Sequence, residues 1–413
     1  MRTLLKNIKG LYGITVPDEP IKRGQSMRFF NCLENAWLLI EDQRIIDFGS
    51  MPGKETQYPA FDADKSIDVK GKYVLPAFVD SHTHLVFAES RESEFVMKIK
   101  GKTYEEIAAA GGGILNSAEK IKITPERELF EKAKLRLQEV IAQGTGAIEI
   151  KSGYGLSVSE ELKMLRVIKR LKEISPIPIK ATFLGAHTYP MEYKNNHEGY
   201  IKLIVDEMLP AIAAEALADY IDVFCENGFF SKDESERIIQ AGYQYSLKAK
   251  IHGNQLGHNG GIEVAVANQA ISVDHLEYCN ASEIELLRHS QTIPVSLPGC
   301  SFFLGLPYTP GRAIIDAGLP LCLASDYNPG SSPSGKMSFI VSLACIQMKL
   351  LPEEAFNAAT IVGAYALELE NEIGSIAKGK LANLIITKEI PSLAWIPYAH
   401  GSEWIDKIMI KGK

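Results

Sequence analysis

Eight short apolar runs, each followed by a segment of helical length, dominate the middle of this 413-residue chain. They fall at residues 74–79, 147–150, 179–184, 221–224, 249–251, 271–273, 292–296 and 321–324. Parallel strands need long crossover connections, so strand and helix repeated eight times predict a (β/α)8 TIM-like barrel. The intervening helices are legible. Thr124 is the expected N-cap of one, Pro125 its first residue, and Glu126 and Glu128 suit its positive end. Leu129, Phe130, Ala133, Leu137, Val140 and Ile141 then make one apolar stripe, which Gly144 ends. Outside the barrel the texture is different. Residues 36–48 read as two strands around a polar turn, and residues 384–387 and 405–410 repeat that flavour. The expectation is a catalytic barrel over 73–368 and a small β-sandwich domain built from 1–72 and 369–413.

Catalytic groups of such a barrel gather at the C-terminal ends of its strands. After the first run come Asp80, His82 and His84; after the second, Lys151 and Tyr154; after the third, His187. The fourth leads to Cys225 and Glu226, the fifth to His252 and Gln255, the sixth to Asp274, His275 and Glu277. The seventh offers little that ionises, and the eighth gives Asp326 and Asn328. Five of the nine histidines therefore stand at expected strand ends. The i, i+2 spacing of His82 and His84 puts both imidazoles on one side of an extended chain. With His252 and Asp326 they make a nitrogen-rich, one-carboxylate set suited to one divalent ion, Zn or Fe. His197, His258, His289 and His400 lack such placement and are expected at the surface or on helices.

Other classes are disfavoured. A formal net charge of −7 argues against a nucleic-acid binder. No apolar run approaches the roughly 20 residues that span a bilayer, and MRTLLKNIKGLYG lacks the pattern of a signal peptide. The six scattered cysteines form no CxxC pair and read as reduced thiols of a cytoplasmic protein.

The segment from Val74 to His84 resembles the signature of the amidohydrolase superfamily, and the stretches around it resemble its imidazolonepropionase family. These are HTHLVFAESRESEF from His82, AAAGGGI from Ala108, KSGYGL from Lys151, TFLGAHTYP from Thr182, DHLEY from Asp274 and SDYNPGSSP from Ser325. The resemblance runs from about residue 70 to residue 370. It implies metal-dependent hydrolysis of the cyclic amide of 4-imidazolone-5-propanoate to N-formimino-L-glutamate in histidine degradation. It implies His82, His84, His252 and Asp326 as metal ligands, and Asp326 and His275 as catalytic residues. Arg91, Tyr154, His187, Gln255, Asn328, Gly330 and Ser331 then bind substrate or product. Arginine is the natural bidentate partner of a propionate. Gln255 stands where some relatives carry glutamate; an amide cannot serve as a base, so it can only orient substrate. Partners are a small-molecule substrate and, by analogy, a second copy in a homodimer. The alternatives are another amidohydrolase, such as a nucleobase deaminase, and an inactive barrel that serves as a binding module.

Overall fold

A computed structural model describes residues 1–15, 21–51, 62–102, 106 and 112–413. Ala108 to Gly111 of the AAAGGGI stretch lie outside the described residues. Five strands come first: β1 (Arg2–Tyr12), β2 (Cys32–Glu41), β3 (Arg44–Ser50), β4 (Lys65–Asp68) and β5 (Lys72–Pro76). Eight parallel strands follow: β6 (Phe78–Asp80), β7 (Thr145–Lys151), β8 (Ile179–Ala186), β9 (Tyr220–Cys225), β10 (Lys248–Gly253), β11 (Ser272–His275), β12 (Ile293–Ser296) and β13 (Cys322–Leu323). They are ordered as in the chain, each paired with the next, and helices run between them. β14 (Leu384–Glu389) and β15 (Ile405–Met409) end the series.

The first expected run is divided between two sheets. Lys72–Pro76 pairs with β1 and β14, and only Phe78–Asp80 enters the barrel beside β7. Both halves are buried, so their apolar character is uniform and hides the break at Ala77. The small domain is one mixed seven-stranded sheet, ordered β15–β14–β5–β1–β2–β3 with β4 on β1. Leu38 and Ile40 of one wing and Leu384, Ile386 and Met409 of the other share a single apolar cluster with Leu5, Ile8 and Leu11 of β1. Both chain ends therefore build one core. One helix boundary differs from the expectation: Thr124 closes the preceding helix, donating its Oγ1 to the Lys120 carbonyl, and the next helix starts at Glu126 after Pro125.

The barrel closes without a long final ladder. Beyond β6 the chain stays extended, Thr83 bridges to Tyr327, and the Asp326 amide donates to the His82 carbonyl at 3.0 Å. Asp80 fastens the same seam by accepting from the Ser325 amide (2.9 Å) and hydroxyl (2.5 Å). Closure thus sets His82 and His84 against Asp326. Among the described residues no helix is long and apolar enough to cross a membrane.

Candidate active site

His82, His84 and His252 are buried, with donor atoms gathered within 4.8 Å of one another. Nε2 of His84 and His252 are 3.3 Å apart, and Asp326 Oδ1 lies 3.6 Å from Nε2 of both His82 and His84. Carboxylates stand behind two of the rings. His82 Nδ1 faces Asp274 Oδ2 at 2.5 Å, and His252 Nδ1 faces Asp222 Oδ2 at 3.0 Å. A carboxylate accepts, so His82 Nδ1 carries the proton and its Nε2 presents a lone pair, whereas His252 Nδ1 lies close to Asp222 without hydrogen-bond geometry. Nε2 of His82 is buried with no hydrogen-bond partner. Burial above all, with Lys151 next for His82 and His187 next for His84, holds both imidazoles neutral. Neutral lone pairs meeting a carboxylate are the donor set that a divalent cation requires.

Beneath the rings lies a lattice of buried charge. Lys151 Nζ donates to Glu149 Oε1 at 2.7 Å and Asp222 Oδ2 at 2.8 Å, and stands 4.0 Å from Asp274 Oδ2. Lys250 Nζ donates to the Ser81 carbonyl at 2.8 Å and lies 3.9 Å from both Glu149 and Asp274. Thr182 donates to Glu149. The two carboxylates that orient His82 and His252 therefore share one ammonium. All of these charges are inaccessible to solvent, where an unpaired ion would cost several kcal/mol.

A cavity of about 480 Å³ opens above this cluster. His84, Arg91, Tyr154, His187, His252, Gln255, His275, Asp326, Asn328, Gly330 and Ser331 all line it, so every expected site residue except the deeper His82 reaches one space. His187 Nδ1 donates to the Gly153 carbonyl at 2.9 Å, which leaves its Nε2 as an acceptor. Burial pushes His187 down to about 3, so it stays neutral. The loop of Tyr154 is held by Glu161, whose carboxylate accepts from the backbone amides of Gly153, Gly155 and Leu156 at 3.1, 2.6 and 2.9 Å. Arg91 is both a cavity residue and half of an ion pair: Nη2 donates to Glu94 Oε2 at 2.6 Å, while Nε has no partner. Asn328 is spent within its own turn, donating to Asp326 O and Ser331 Oγ and accepting from the amides of Gly330 and Ser331. Asp326 and His275 both have positive φ, at 53° and 89°, a conformation that side-chain-bearing residues adopt rarely and that here aims both groups inward. Burial raises the Asp326 carboxyl to about 6.

Lys98 and Lys102 at the mouth, and the supporting Glu94, Glu161, Asp222 and Cys300, were not assigned roles from the sequence. His197, His258, His289 and His400, expected at the surface or on helices, are all exposed.

A model of the amidohydrolase family matches residues 73–413, and the chain belongs to that family of metal-dependent hydrolases. Across 413 residues it is 56% identical to the imidazolonepropionase of Flavobacterium johnsoniae, with 100% of both chains covered. It is 53% identical over 413 residues to the imidazolonepropionase of Christiangramia forsetii, again over 100% of both. Within the amidohydrolases, it falls among the imidazolonepropionases. The crystal structure of a triazine hydrolase variant shares the fold, with a TM-score of 0.74 at 15% identity, covering 100% of this chain and 94% of that one.

Proposed function

We propose that this chain hydrolyses the ring amide of 4-imidazolone-5-propanoate to N-formimino-L-glutamate, a step of histidine degradation in the cytoplasm. One observation carries the reading: a buried imidazole and carboxylate cluster and an arginine with an unpartnered Nε share a single cavity. His82, His84, His252 and Asp326 are the residues that would hold one divalent ion, Zn or Fe. Such an ion lowers the pKa of water to about 7 and polarises a carbonyl. The side chains supply the rest. Arg91 holds the propionate, while His187 accepts from a ring N–H through Nε2 and Tyr154 covers the ring. His275 stabilises negative charge on the carbonyl oxygen. Asp326 takes the proton of the attacking water and delivers it to the leaving ring nitrogen, so water adds across the C–N bond. Gln255 orients the ring, and Asn328, Gly330 and Ser331 border the product carboxylate. The division of the chain at about residues 72 and 368, and assembly as a homodimer, belong to the same reading.

Absorbance loss of freshly prepared substrate, with metal-replete enzyme, tests it directly. Decay that a His252→Ala variant lacks is the expected result. No decay from enzyme shown to contain metal would overturn the substrate assignment, and turnover of guanine or cytosine would favour a deaminase.

Gly330 sets a second test. A Cβ there would lie 2.2 Å from Arg91 Nη1, so any side chain displaces the guanidinium. A hydrogen bond to a charged group contributes about 1.5–3 kcal/mol. Gly330→Ala is therefore expected to raise KM roughly tenfold to a hundredfold, with a smaller change in kcat. An unchanged KM would remove Arg91 from substrate binding.

A further inference from the structure

We propose that His275, Glu277 and Cys300 form a second divalent-cation site, buried beside the catalytic cluster, which takes up excess zinc and thereby inhibits the enzyme. The inhibitory part rests on the role given to His275 above; the binding part does not. Among the described residues, these three form a group separate from His82, His84 and His252, with donor atoms within 4.8 Å of one another and all three residues buried. They come from different elements: His275 ends β11, Glu277 follows two residues on, and Cys300 lies in the helix Pro298–Leu304 after β12.

Three observations point to a cation. Glu277 Oε1 stands 3.3 Å from His275 Nδ1 and accepts from the Ser301 hydroxyl at 3.2 Å. Its other oxygen, Oε2, is buried with no partner on a side chain that has no exposed surface. A carboxylate oxygen left bare in the interior is costly, and a cation is one way to satisfy it. Cys300 Sγ accepts from Gln255 Nε2 at 3.3 Å, so its lone pairs already face polar groups rather than the apolar core. One imidazole, one carboxylate and one thiolate are zinc ligands by type, and soft sulfur disfavours magnesium and calcium. The carboxylate and thiolate together neutralise a divalent ion, and the thiol proton leaves to solvent as the ion binds.

The location explains the effect. The His275 ring centroid is 5.3 Å from that of His252 and 5.8 Å from that of His82, so an ion on the Nδ1 side fixes the imidazole that faces the substrate. It also takes Cys300 away from Gln255. Both changes act on the oxyanion side of the cavity.

The experiment loads the full-length enzyme with one equivalent of zinc and titrates a second metal. Stoichiometry is read by equilibrium dialysis with elemental analysis, and sulfur ligation by the ultraviolet charge-transfer absorption of cadmium. The wild type is expected to bind a second equivalent, to show the cadmium–sulfur band and to lose at least tenfold in turnover. Cys300→Ala and Cys300→Ser, the latter keeping a hydroxyl for Gln255, should retain the first equivalent and lose the second, the band and the inhibition. Retention of the first equivalent also reports that the variants are folded. A wild type that stops at one equivalent, or a second equivalent and band that persist without Cys300, overturns the site. Neither measurement depends on which substrate is turned over, so failure here is distinguishable from failure of the substrate assignment.

Discussion

Asp326→Asn is expected to lower kcat by about 10²–10⁴-fold, the range in which a positioned proton-transfer group acts. The substitution keeps the size and the loop. Its amide can still reach toward His82 and His84, whose Nε2 atoms lie 3.6 Å from the native Oδ1. What it removes is the ability to accept a proton from water and return it to the leaving nitrogen. Because three imidazoles remain, metal content should fall less than turnover does. Steady-state rates, metal analysis and circular dichroism on one preparation separate these effects. Turnover within a few-fold of wild type would dismiss Asp326 as the proton shuttle.

Lys151→Met should produce the largest loss of stability. Methionine fills similar volume but leaves Glu149, Asp222 and Asp274 facing one another without the ammonium that now sits 2.7, 2.8 and 4.0 Å from them. Removing one partner of a buried ion pair costs about 3–5 kcal/mol, because the remaining charge stays desolvated. The damage should extend to metal retention. Asp222 and Asp274 orient His252 and His82, and losing such outer partners typically weakens a metal site roughly 10–100-fold. A denaturant midpoint and chelator competition measure the two consequences. If both match wild type, the lattice has no part in holding the rings.

The barrel and nearly all of the site were legible because strand-end position is a simple sequence property. The HTH pair, His187, His252, His275 and Asp326 each follow an apolar run, and all converge on the cluster or the cavity above it. What escaped reading lay inside the runs. Glu149, Lys250 and Ser272 each stand two residues before a strand-end group, Lys151, His252 or Asp274, the period that keeps both residues on one face of a strand. Taken singly within apolar runs, Glu149, Lys250 and Ser272 carry no sign of pointing into a shared interior; pairing of β7 through β11 is what joins them to the strand-end residues. Cys300 escaped for another reason. A lone cysteine carries no spacing signal, and only the fold sets it beside Glu277. The break between β5 and β6 was hidden because two sheets bury adjacent segments equally well.

The seam between Thr83 and Tyr327 has a consequence for how the enzyme acquires its activity during synthesis. His82 and His84 leave the ribosome long before Asp326, and the strand that positions Asp326 is the last of the eight. Pairing such distant segments is entropically slow, so the set of donors is completed late, after most of the chain has been made. A nascent chain carries two exposed histidines with no aspartate to join them, and an ion captured then would be held by an incomplete set. Completion of the cluster is thus tied to closure of the barrel: the hydrogen bond from the Asp326 amide to the His82 carbonyl that shuts the cylinder also brings the carboxylate beside the histidines.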